Sequence, residues 1–118
     1  MNTLAEWERY IESFAPPSQI ELGLERVGKV WNSLTQVAPK RVITVAGTNG
    51  KGSTVEAAGV LARAQGLVYG QYTSPHIHTI QERIRVNGVK ASGHELVAAF
   101  ERVESVRGSI FLTYFEFL

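Results

Sequence analysis

The sequence predicts an α/β fold: a P-loop-type, mostly parallel sheet with flanking helices and one β-hairpin insertion. Three observations carry this. Arg41-Val-Ile-Thr-Val-Ala46 is a β-branched run bounded by Pro39 and Gly47, which reads as a buried strand. The glycine-rich turn Gly47 to Ser53 follows it and opens a helix, which leads to a second short strand, Val68 to Tyr72. Strand, helix and strand in that order make a βαβ unit, whose strands are expected to lie parallel. Finally, Asn87-Gly88 inside the apolar stretch Ile84 to Val89 is a strong hairpin-turn signal.

The other elements follow in chain order. Thr3 and Glu6 have the spacing of a capping box, and Leu4, Trp7, Tyr10, Ile11 and Phe14 recur at helical intervals until Pro16-Pro17 stops the helix. A second helix is expected from about Leu24 to Leu34, with Val27, Val30 and Trp31 on its apolar face. Thr54 to Gln65 is rich in Ala, Leu and Val and reads as the helix after the glycine-rich turn, with Gly66 as its C-terminal cap. Gly70 and Gln71 are expected to weaken the second strand. Thr73 to Glu82 reads as a loop, and Arg83 and Arg85 alternate with Ile84 and Val86 as the exposed face of a hairpin strand. Ser92 and Glu95 precede another helix, which Gly108 ends, and Ile110 to Leu112 reads as a short extended piece. Thr113 and Glu116 repeat the capping-box spacing, as for one more helix.

Composition narrows the function classes. A chain of 118 residues holds about one small domain. A net charge of +1, with scattered basic residues, gives no footprint for nucleic acid or an anionic membrane. Without cysteine there can be no disulfide, thiolate metal site or thiol nucleophile, which suits a reducing compartment. No apolar stretch approaches the roughly 20 residues that span a bilayer. Glu6, Glu8 and Glu12 make the first residues unlike a signal or transit peptide. The expected location is the cytoplasm.

Gly47-Thr48-Asn49-Gly50-Lys51-Gly52-Ser53 is the most informative segment. At the start of a helix, unpaired N–H groups and the helix dipole favour phosphate. The glycines let the backbone approach phosphate oxygens, Lys51 brings a mobile positive charge, and Ser53 or Thr54 offers a hydroxyl to a Mg²⁺ ion that bridges phosphates. The pattern G-x-x-x-x-G-K-[ST] is not met, because Val45 and Gly52 stand where it needs a glycine and a hydroxyl. The bland alternative is a glycine-rich turn that binds nothing.

This loop resembles the ATP loop of the Mur-ligase-like amide synthetases, in its folylpolyglutamate synthase/dihydrofolate synthase form. Ile20-Glu-Leu-Gly-Leu-Glu-Arg-Val27, Tyr72-Thr-Ser-Pro-His76 with Glu82-Arg-Ile-Arg-Val-Asn-Gly88, and Leu112-Thr-Tyr-Phe-Glu-Phe117 match that family in the same order. The resemblance implies ATP-dependent ligation of L-glutamate to a pteroate or folate carboxylate through an acyl phosphate, with ATP and Mg²⁺ as cofactors. It implies that Gly47, Thr48, Asn49, Gly50, Lys51, Gly52 and Ser53 line the ATP phosphates, with Lys51 catalytic. Ser74 is then a Mg²⁺ ligand, and Gln19, Ile20, Glu21, Leu22, Thr113, Tyr114, Phe115 and Glu116 contact the pterin. Tyr114 and Phe115 could stack on it and Glu116 could pair with its N–H edge, or the rings could be core aromatics. His76 and His78 read as structural or solvent-facing, and Trp7 and Trp31 as core.

The resemblance further implies a chain equivalent to the N-terminal part of the ATP-binding domain of a longer, monomeric enzyme. The rest of that domain, the C-terminal domain and two further Mg²⁺ ligands would lie beyond Leu118. The expected partners are dihydropteroate or folates, L-glutamate and ATP, with neither nucleic acid nor membrane. Alone, the βαβ unit would leave apolar surface uncovered, and little or no ligase activity is expected of the isolated chain. The alternatives are another Mur-type ligase, a nucleotide-binding module or P-loop phosphotransferase indifferent to pterins, and a non-catalytic piece of a ligase.

Overall fold

The computed structural model describes residues 1–34 and 37–118. They form two compact units, Met1–Ala38 with Gly93–Leu118, and Pro39–Ser92.

The first unit is helical. Helix α1 spans Leu4–Phe14 and starts at the predicted capping box: the Thr3 hydroxyl accepts from the Glu6 amide, and the Glu6 carboxylate accepts from Thr3. Helices α2, Glu25–Ser33, and α4, Gly93–Arg107, pack on each other, and α1 packs on α4. The short helix α5, Tyr114–Phe117, begins at the Thr113/Glu116 capping box and packs on α1. Trp7, Phe100 and Phe117 form an aromatic core with centroid separations of 5.7–6.4 Å, inside the range of favourable ring pairs. Beside it Tyr10 donates to Glu104 at 2.8 Å and accepts from Arg107, whose guanidinium also lies 5.0 Å above the Phe14 ring. Trp7 is core, as expected. Trp31 is not: α2 buries Val30, and the next residue along a helix points about 100° away, so Trp31 is half exposed.

The second unit holds helix α3, Lys51–Ala64, and a sheet of β1, Gly70–Tyr72, β2, Ile84–Val86, and β3, Val89–Lys90, preceded by a 3₁₀ turn at Ile80–Arg83. The sheet order is β1-β2-β3 and both pairings are antiparallel, with Gln71 opposite Arg85 and Val86 opposite Val89. The turn residues Asn87 and Gly88 have φ of 51° and 81°, both positive, as a type I′ hairpin requires. Gly66 follows α3 at φ 71°, the left-handed cap position predicted for it.

The mostly parallel sheet expected from the sequence is not formed among the described residues, whose one sheet is antiparallel. Residues 41–46 have no strand pairing among the described residues, and Val42 and Ile43 are 74% and 77% exposed. Extended chain becomes a strand only where a neighbour satisfies its N–H and C=O groups, and no described residue does so for this segment. The β-hairpin, close in sequence, pairs with β1 instead. Gly70 and Gln71, expected to weaken the strand, are its paired part, while Val68 is exposed. The expected uncovered apolar surface is present, at Val42, Ile43, Val60, Leu61, Leu67 and Val68.

Candidate functional site

Gly47 and Gly50 adopt φ of 145° and 78°, in the region that only glycine enters freely. Gly50 is the N-cap of α3, so the amides of Lys51, Gly52 and Ser53 form the open first turn and have no partner among the described residues. The Thr54 hydroxyl and amide both donate to the Gly50 carbonyl. Lys51 Nζ donates to the Gly47 carbonyl at 2.6 Å, so the ammonium group folds back over the loop. Thr48, Asn49 and the rest of the loop are exposed.

An open depression of about 530 Å³ is lined by Gly52 and Ser53 from this loop, Ser74 and its neighbours Thr73, Pro75 and Ile77, and Glu56, Glu82 and Arg85. The structure thus brings the predicted phosphate loop and the predicted metal ligand to one concavity. Arg85 donates to Glu56 at 2.7 Å. The Glu82 carboxylate accepts from the amides of Ile77, His78 and Thr79 at 2.8–3.0 Å, and these bonds, Ile77 first, lower its pKa to about 2. The hydroxyls of Ser53 and Ser74 have no protein partner among the described residues. Hard oxygen donors beside the predicted phosphate loop would suit Mg²⁺, which keeps several waters and takes few protein ligands. Among the described residues no three His, Asp or Glu side chains converge to hold a metal by themselves.

Sequence reasoning placed Arg83 on an exposed strand face. Instead it ends the 3₁₀ turn, which delays the strand to Ile84, and it is buried. Its Nε donates to His76 Nδ1 at 2.8 Å, so His76 is structural, while His78 is exposed.

In the helical unit, Arg26 ties the two predicted pterin segments together. Its Nε and Nη2 donate to the two Glu116 carboxylate oxygens, each at 3.2 Å, and Nη2 also donates to the Glu21 carbonyl at 3.1 Å. Burial raises the Glu116 pKa, but the Thr113 amide and Arg26 outweigh it and leave the group below its ordinary value. Glu116 is therefore already committed to a cap and an ion pair. Tyr114 lies in the core at 6% exposure, whereas Phe115 is 60% exposed. Gln19, Ile20, Glu21 and Leu22 are all exposed. Sequence reasoning missed Arg26, Glu82 and Arg83. Thr79-Ile-Gln-Glu82 carried a readable signal, the same Thr-x-x-Glu spacing recognised elsewhere in the chain.

These features define an α/β protein with a glycine-rich loop capping a helix and facing a serine-bearing loop. No family model matches the chain. A dihydrofolate synthase/folylpolyglutamate synthase of Escherichia coli strain K12 is 44% identical over 115 residues, which is 97% of this chain and 27% of that enzyme. The crystal structure of a Yersinia pestis bifunctional folylpolyglutamate synthase/dihydrofolate synthase complexed with AMPPNP and Mn ion superposes with a TM-score of 0.88 at 44% identity, over 98% of this chain and 28% of that one. E. coli FolC in complex with DHPP and ADP gives 0.86 at 42% identity, over 98% of this chain and 28% of that one. The chain is thus similar over nearly its whole length to folylpolyglutamate synthase/dihydrofolate synthases, and it spans about a quarter of the length of the curated relatives it matches, 27% of the E. coli enzyme.

Proposed function

We propose that this chain supplies the phosphate loop, one Mg²⁺ ligand and the first pterin contacts of an ATP-dependent ligase that joins L-glutamate to a pteroate or folate carboxylate. It forms the N-terminal part of that enzyme's ATP-binding domain, and the remaining strands and the second domain belong to further polypeptide. The finer fold reading belongs here too: residues 41–46 are a strand of the parallel sheet that this polypeptide completes. The observation that carries the functional reading is the shared depression of Gly52, Ser53 and Ser74. The relatives support it, one complexed with AMPPNP and Mn ion and one with DHPP and ADP. Their folate-ligase names favour this reading over other Mur-type ligases.

The chemistry needs an activated carboxylate. ATP supplies a phosphoryl group that converts the carboxylate to an acyl phosphate, which glutamate's amine can attack with phosphate leaving. The chain's own residues bind and orient. Gly47, Thr48, Asn49 and Gly50 shape the loop, and the amides of Lys51, Gly52 and Ser53 donate to phosphate oxygens. Lys51 releases the Gly47 carbonyl and neutralises charge on the transferred phosphoryl group. Ser53 and Ser74 offer hydroxyls to Mg²⁺. Gln19, Ile20, Glu21 and Leu22 border the pterin with Thr113, Tyr114, Phe115 and Glu116. Among these, exposed Phe115 offers the stacking face, while Tyr114 and Glu116 support the segment from below.

The test is calorimetric titration of the chain with AMPPNP and Mn²⁺. Binding is expected, and Lys51→Ala should weaken it at least about tenfold, or about 1.4 kcal/mol. Unchanged affinity in a folded Lys51→Ala protein would sink the reading.

A further inference from the structure

We propose that Glu82 and Arg83 are positioning residues that lock the loop from Thr73 to Thr79, so that the Ser74 hydroxyl is presented to the ion bound beside Ser53. The inference rests on the functional reading above and extends it to residues that reading leaves without a role.

Both flanks of Ser74 are fastened to the 3₁₀ turn. On one side, the Thr73 amide donates to the Arg83 carbonyl at 2.9 Å. On the other, Arg83 Nε donates to His76 Nδ1 at 2.8 Å, and Glu82 gathers the amides of Ile77, His78 and Thr79. Arg83 is 8% exposed, so its guanidinium serves the protein interior rather than solvent. Ser74 itself makes no hydrogen bond to another described residue, so the anchors surround a hydroxyl that does nothing for the loop. Glu82 spends one carboxylate oxygen on Ile77 and the other on His78 and Thr79. It borders the depression, yet its oxygens are turned to backbone amides. That is how a residue behind a ligand holds the ligand's orientation, and loss of such support commonly costs 10–100-fold in metal affinity.

Two substitutions separate positioning from bulk. Glu82→Gln keeps the volume but sets an NH₂ group against backbone N–H groups. Arg83→Lys keeps the charge but loses the planar fork that reaches His76. In calorimetry and Mn²⁺ electron paramagnetic resonance on the chain, both variants should bind Mn²⁺ about 10–100-fold more weakly in the presence of AMPPNP, while AMPPNP affinity without metal stays within about threefold. General destabilisation would lower both affinities together. In the unmodified chain the amides of residues 77–79 should be protected from hydrogen exchange, and in Glu82→Gln they should exchange faster. Folded variants with unchanged Mn²⁺ affinity would overturn the proposal. So would unprotected amides at 77–79 in the unmodified chain, which decides the matter even if neither variant folds. Failure of the unmodified chain to bind AMPPNP would sink the nucleotide site, a result distinct from these.

Discussion

Glu6, Glu82 and Glu116 each stand three residues after a threonine, and each turns its carboxylate back onto the chain. What differs is the company. Glu6 receives the amides of Asn2 and Thr3 at the exposed start of α1. Glu82 receives three amides, beside His78 and Arg85, and its pKa falls from 4.5 to about 2. A lowered carboxylate favours the folded loop fully above 4.5 and loses that contribution as pH falls toward 2. The ¹³C carboxyl signal of Glu82 should therefore titrate with a midpoint near 2. A midpoint near the ordinary value would mean that the amides do not hold it. Glu116 adds Arg26, across a sequence separation of 90 residues. Replacing it as Glu116→Gln removes a part-buried, charge-assisted pair, and a loss of about 1–2 kcal/mol in urea denaturation at pH 7 is expected. Its pKa is also lowered, so this contribution is present at neutral pH and fades in acid. Because Arg26 also holds the Glu21 carbonyl, hydrogen exchange around residues 19–24 should quicken in the same variant.

At the scale of elements, α3 meets β1 through Gly59, where a Cβ would collide with the Gln71 side chain. Gln71 Nε2 donates to the Val55 carbonyl at 2.9 Å, so the glycine leaves room for a bond that ties helix to sheet. Gly→Ala at an exposed helical site gains about 1 kcal/mol. Here Gly59→Ala must push Gln71 aside and lose a bond worth about 1 kcal/mol, so no net gain is expected in urea denaturation. In the Gln71→Ala background the clash is gone and the helical gain should return, which a double-mutant cycle would read as coupling. An additive cycle would mean that the two residues are independent. The elements legible from sequence were those with local causes. The Thr3 cap, the Gly66 stop, the Asn87-Gly88 turn and the Thr113 cap each depend on residues within one turn of the chain. The glycine-rich turn that opens α3 was legible for the same reason. Arg83 was misread because it closes a short 3₁₀ turn and lies just before the strand, where strand alternation does not govern which way a side chain faces. Arg26 gave no signal, because its partner is distant in sequence and an exposed helical arginine looks the same.

For the whole molecule, the informative misfit is the run at 41–46. Its sequence is that of a buried strand, yet Val42 and Ile43 face solvent and no described residue pairs with them. A β-branched run keeps its strand propensity without a partner, but the hydrogen bonds and cover that make it a strand must come from elsewhere in space. The chain spans 27% of the E. coli relative's length, so polypeptide of the kind that could supply such cover exists in the family. The two possibilities differ measurably. If the run is a surface segment by nature, Ile43→Ser should be almost silent in any context. If it is a sheet strand awaiting neighbours, the substitution should change the stability of this chain by no more than about 0.5 kcal/mol, as expected for an exposed site. In a longer protein containing the chain, where the side chain would be enclosed, the same change should cost about 2–5 kcal/mol, in the manner of a large-to-small core substitution. Urea denaturation of both proteins reads the difference. Equal, small effects in the two contexts would leave the parallel sheet without support, whereas a large effect confined to the longer protein would show that the strand's partners come from the added polypeptide.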